Sequence, residues 1–158
     1  VTRQKPALFL DVDGVLNAFP KGYQKRAVEL DHASVLHPTK HTLPFMHWAW
    51  TQFEVFWCTA WGETANRIAQ WAGLCERPCV ADVRSSHPEW KLQGVKAFLK
   101  GKKQTAVWIE DGISPIAEAW VSKRKGFFYV HTDPLVGVTK AHSLFLADIL
   151  GLSMEAWK

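Results

Sequence analysis

Apolar positions in this chain fall into two kinds of pattern that take turns along its length. The first is a short, nearly unbroken apolar run. Residues 7–11 form one, ending in Asp11, and residues 53–58, 79–83, 105–109 and 127–130 form four more. Runs of this length, rich in aromatic and β-branched residues, predict buried strands. The second is a longer stretch with helical signals. Residues 43–51 follow Thr42, a plausible N-cap, and carry Pro44 in the first turn. Residues 63–72 run up to Gly73. Residues 89–100 place Leu92, Val95 and Leu99 on one stripe and stop at Gly101. Ser114 and Pro115 open a further helix as N-cap and first residue, and residues 139–150 form the last, ended by Gly151. One early segment breaks the rhythm. Residues 23–30 and 33–37 are β-compatible runs around the turn-like pair Asp31-His32, which predicts a two-stranded flap.

Strands separated by helices imply a parallel sheet covered on both faces. The expected class is therefore α/β, a Rossmann-like doubly wound sheet of five parallel strands, as a single domain over residues 1–158. A flap insertion at about 18–52 is too small to be a large helical cap, so the site should be open. In such sheets ligands bind beyond the carboxyl ends of the strands. Asp11, Thr59, Glu110 and Asp111 all fall at such ends.

The segment Asp11-Val12-Asp13-Gly14-Val15-Leu16-Asn17 carries the clearest chemical signal. Residues i and i+2 of an extended chain point the same way. Two carboxylates then converge, which is costly unless a cation or a proton is shared between them. Gly14 permits a sharp turn and close approach of a ligand. The stretch resembles the first motif of the haloacid dehalogenase superfamily, whose members are mostly Mg²⁺-dependent phosphohydrolases. Three further pieces follow in that family's order. Val55-Phe56-Trp57-Cys58-Thr59-Ala60-Trp61 is similar to the second motif, Lys91 at a helix start to the third, and Val107-Trp108-Ile109-Glu110-Asp111-Gly112 to the acidic fourth.

The resemblance implies roles. Asp11 would be the nucleophile and Asp13 the general acid/base. Thr59 and Lys91 would stabilise the transferred phosphoryl group, with Lys96 as a competing candidate for the lysine. Val12, Gly14, Ala60 and Trp61 would contact substrate. Asp11, Asp13 through its carbonyl, and Asp111 would ligate Mg²⁺, with Glu110 either a ligand or the partner of Lys91. Asp at position 13 marks the phosphatase and phosphotransferase branch, whereas pump-type members carry Thr there. The resemblance is closest to small capless members, some of which sit within RNA-repair proteins. Alternatives are a phosphotransferase, or a non-catalytic nucleic-acid or phosphopeptide binding module on the same fold.

Bulk properties refine this only slightly. The chain carries a net charge of +4 and a pI near 9.0, which suits a phosphorylated substrate and possible contact with nucleic acid. Lys21, Lys25 and Arg26 on the flap are candidates for that contact. Lys123-Arg124-Lys125 is the densest basic cluster, but it ends a predicted helix, where cations are favoured anyway. Three cysteines, Cys58, Cys75 and Cys79, argue against a disulfide framework, and Cys75 and Cys79 with His87 nearby lack a fourth zinc ligand at a typical finger spacing. No apolar run approaches the ~20 residues of a membrane span, so a cytoplasmic location is expected. Nine tryptophans predict aromatic packing, with one or two free to stack on a base or sugar.

Overall fold

The computed structural model describes residues 4–158; residues 1–3, part of the expected domain and of its basic start, lie outside the described residues. Four strands form one parallel sheet: β1 (Ala7–Leu10), β4 (Glu54–Trp57), β5 (Ala106–Glu110) and β6 (Phe127–His131), in the order β4-β1-β5-β6. β2 (Val28–Asp31) and β3 (Ser34–Leu36) make a separate antiparallel hairpin at the position of the expected flap. The helices are α1 (Thr42–Gln52), α2 (Asn66–Trp71), α3 (Trp90–Leu99), α4 (Pro115–Lys123) and α5 (Lys140–Leu150). None is long and apolar enough to cross a membrane.

Strand alternation sorts the core into two layers. Leu8, Leu10, Val55, Trp57, Val107 and Ile109 face α1, α2 and α5. Ala7, Phe9, Phe56, Ala106, Trp108 and Phe127 face α3 and α4. Both faces are thus covered, and the strands read as continuous apolar runs for that reason. β1 is paired on both sides, with Leu10 opposite Trp57 of β4 and Ile109 of β5.

The expected fifth parallel strand at residues 79–83 does not form. It is reduced to one parallel bridge, Cys79 to Trp57, flanked by bonds from Trp57 N to Pro78 O (2.9 Å) and from Val80 N to Trp57 O (2.9 Å). The apolar run is real, but the chain turns before it can extend the ladder. Asp82 Oδ1 accepts from Arg84 N at 3.0 Å, and Ser85 N bonds Asp82 O at 3.1 Å. This is the Asx-type turn that an aspartate favours.

Helix ends follow local chemistry. Ser114 Oγ accepts from Ala117 N at 3.1 Å, with Pro115 at the first helical position. The helix expected at 63–72 begins as a 3₁₀ turn, Gly62–Ala65, before α2. Thr42 does not cap α1; its hydroxyl instead donates to Leu16 O at 2.9 Å, tying α1 to the loop after β1. Several tryptophans fasten loops through their indole N–H groups. Trp48 donates to Ser153 O (2.8 Å), Trp50 to Cys75 O (2.9 Å) and Trp57 to Asn66 Oδ1 (2.7 Å).

Gly94 lets α3 press directly on the segment after the bridge. A Cβ at this position would lie 2.8 Å from Ala81 Cα and against the Val80 carbonyl. Alanine in an open helix interior gains about 1 kcal/mol over glycine. Here the sign should reverse, because rigid backbone has to move, and overpacking of this kind costs about 1–3 kcal/mol. Gly94→Ala is expected to lower the midpoint of denaturant unfolding with the slope unchanged.

Candidate active site

The parallel register puts chemistry on one rim. Asp11 N bonds Ile109 O at 3.2 Å and Cys58 N bonds Leu10 O at 2.9 Å, so Asp11, Thr59 and Glu110 leave adjacent strands side by side. Beyond β1 the chain winds around one carbonyl: Val15, Leu16 and Asn17 all donate to Val12 O, at 3.1, 2.8 and 3.0 Å. Gly14 adopts φ +77°, and a Cβ there would collide with the Asp111 carboxylate. Only glycine allows these two segments to meet.

Carboxylate oxygens of Asp11, Glu110 and Asp111 lie within 4.8 Å of one another. Asp11 and Glu110 are buried, and Asp111 is half-buried. Lys91, from the first turn of α3, reaches into this cluster. Its Nζ is 3.1 Å from Asp11 Oδ2 and 2.7 Å from Glu110 Oε2. The competing lysine, Lys96, instead lies over the Trp120 ring at 5.8 Å.

Electrostatics follow from this crowding. Burial works to lower the Lys91 pKa, but Asp11 and Glu110 outweigh it and hold the ammonium above the ordinary lysine value. Burial pushes the Glu110 carboxyl well above the usual carboxylate range, and hydrogen bonding and like charge from Asp11 add to this; Lys91 opposes it. One ammonium cannot balance three ionised carboxylates at this range, so a proton held by the cluster or a bound cation must offset the rest. The donor set is all oxygen and hard, which fits a divalent cation such as Mg²⁺.

Asp13 stands apart from the cluster, exposed at the mouth. Asn17 Nδ2 donates to its Oδ1 at 2.9 Å, and Trp61 Nε1 donates to its Oδ2 at 3.1 Å. Thr59 is buried, and its hydroxyl accepts from Trp61 N at 3.3 Å. Val12 N donates to Asp11 Oδ1 at 2.8 Å, which orients that carboxylate. Ala60 is exposed beside Thr59. Lys21, Lys25 and Arg26 are exposed on the 3₁₀ turn or just before it, ahead of the hairpin.

Two supports of the site join residues far apart in sequence. Asn17 is buried and serves two masters, holding Asp13 through its amide and accepting from His37 N at 2.7 Å through its oxygen. Its place in the motif was visible; its reach to residue 37 was not. The loop after β6 braces the turn from behind. Thr132 Oγ1 donates to Gly14 O (2.7 Å) and Val138 N to Val15 O (2.8 Å). The indole of Trp61 was expected to meet substrate, and its N–H meets Asp13.

Residues 7–143 match the family described as HAD domain in Swiss Army Knife RNA repair proteins. No curated protein and no solved structure matches the chain. The matched span begins with β1 and ends inside α5, so it contains every element that builds the rim. HAD families are of phosphohydrolase type and generally use a divalent metal. The order of the elements, the crowded carboxylates and this match agree: the chain belongs to the haloacid dehalogenase superfamily, in the HAD domain family of Swiss Army Knife RNA repair proteins.

Proposed function

We propose that this protein is a Mg²⁺-dependent phosphatase that hydrolyses phosphomonoesters through an aspartyl-phosphate. Its substrates are the phosphate ends of nucleotides or polynucleotides. The observation that carries the reading is the meeting of Asp11, Glu110 and Asp111 within 4.8 Å, with Lys91 bridging Asp11 and Glu110. The family's description supports the RNA side, as does the net charge of +4.

Asp11, Asp111 and the Asp13 carbonyl would hold the ion. Bound there, Mg²⁺ would offset the charge of carboxylate and phosphate. Asp11 attacks phosphorus as the nucleophile, and the ester oxygen departs. Asp13 gives that oxygen a proton, then takes one from the water that hydrolyses the acyl phosphate. The Asp13 oxygen that carries the proton releases its N–H partner, while the other contact keeps the side chain aimed. Thr59 and the Lys91 ammonium stabilise charge on the phosphoryl oxygens. Glu110 holds Lys91 in reach of Asp11. Val12 and Trp61 orient Asp11 and Thr59 through their backbone N–H groups, and Gly14 and Ala60 leave room for the phosphate to approach.

Phosphate release should be measured on an aryl phosphate, mononucleotides, and 3′- and 5′-phosphorylated RNA and DNA oligonucleotides. Asp11→Asn is expected to abolish release while the protein stays folded; turnover in a clean preparation would remove Asp11 from the nucleophile role. Asp13→Asn should lose roughly 10²- to 10⁴-fold in rate, the usual contribution of a general acid/base, with substrate binding largely kept. An unchanged rate would exclude Asp13 from proton transfer. Chelation should stop turnover and Mg²⁺ restore it, and Asp111→Asn should raise the Mg²⁺ concentration needed. Full activity after exhaustive chelation would overturn the metal's part.

A further inference from the structure

Folding brings a distant arginine to three lysines that lie close together in the sequence. Lys96 and Lys100 come from the last turn of α3 and its C-cap, Lys102 from the following loop, and Arg124 from the end of α4. Together with Trp120 they line an open groove of about 480 Å³ that contains no carboxylate. Among the described residues, none of these four cations forms a salt bridge.

Two helices end here, and helix C-termini favour cations on stability grounds alone. That explains a lysine or two, but not the arrangement. Lys96 and Lys100 stand at i and i+4, where like charges repel. Three of the heads are also held in place. Lys96 Nζ and Arg124 Cζ lie 5.8 and 5.7 Å from the Trp120 ring centre, and Lys102 Nζ lies 3.5 Å from that of Phe98. Arg124 Nη2 further donates to Lys102 O at 3.0 Å, joining the two helix ends. Surface lysines usually lose much side-chain entropy when they engage a partner. Cations already seated on aromatic faces lose less.

We propose that this groove is a docking surface for the sugar–phosphate backbone of a nucleic-acid strand whose phosphorylated end lies at the catalytic rim. The end's role rests on the phosphatase reading above; the surface itself is tested by binding. The geometry suits such a strand. Lys91 opens α3 at the rim and Lys100 closes it at the groove, about 14 Å apart along a helix that rises 1.5 Å per residue. A strand with its end at Asp11 can therefore run along the α3–α4 side. Contacts to phosphates would position it without reading its sequence.

The test is fluorescence anisotropy of the full chain with a labelled oligouridylate lacking a terminal phosphate, over a salt series without divalent ions. The combined variant Lys96→Gln, Lys100→Gln, Lys102→Gln should bind about 10-fold or more weakly at low salt, with a salt slope shallower by about 2, since each phosphate contact to a single strand contributes about 0.7. The matching Lys→Arg variant should retain binding. Hydrolysis of p-nitrophenyl phosphate should be the same in all three proteins. Equal binding by the Gln variant, or loss mapping instead to Lys21→Gln, Lys25→Gln, Arg26→Gln, overturns the proposal. So does competition by polyglutamate as strong as by RNA, which would make the groove a general polyanion site. Binding that maps to the groove in a protein that releases no phosphate upholds the surface and removes the phosphatase reading.

Discussion

Three carboxylates and one ammonium share the end of β1 and β5, and the rest of the molecule is arranged to keep them there. Like charges at this separation repel strongly, and burial makes the repulsion worse. The sheet overrides this because the parallel register of β1 and β5 fixes where each strand stops, with Leu10 opposite Ile109. Lys91 relieves only part of the charge. What is left over is a demand for a cation or a shared proton, and the three carboxylates could hold a divalent metal.

The side of the site proposed for proton transfer is built separately. Asp13 owes its orientation to Asn17 from its own loop and Trp61 from the segment after β4. The proposed nucleophile and the proposed acid/base therefore hang from different supports. The first depends on strand register and α3, the second on the turn around Val12 and on an indole from the neighbouring strand's exit.

Much of this was legible in the sequence, because strand ends and helix starts announce themselves locally. Apolar runs stopping at Asp11, Thr59 and Glu110 marked three rim positions, and the helical start placed Lys91. The overcount of strands came from the same rule. Residues 79–83 have the right composition, but Asp82 turns the chain locally and α3 presses in at Gly94, which is a tertiary fact. The reach of Asn17 to His37, of Thr132 to Gly14 and of Trp61 to Asp13 spans 20, 118 and 48 positions. No local pattern encodes contacts at such separations. The gathering of Lys96, Lys100 and Lys102 with Arg124 was hidden for the same reason, since each helix end alone looked ordinary.

The hairpin is pinned at its base and again beside its turn. Its base is held by Asn17 to His37, and Asp31 pairs with Arg67 of α2 at 2.6 Å. His32 and Ala33, between the strands, are exposed. Chain added between them would extend into solvent without disturbing either anchor, because exposed turn tips tolerate insertion. The turn can thus be lengthened, or a new recognition element grafted there, while the rim at the strand ends stays as it is. The fold thus separates an exposed turn that is free to diversify from the strand ends that are not.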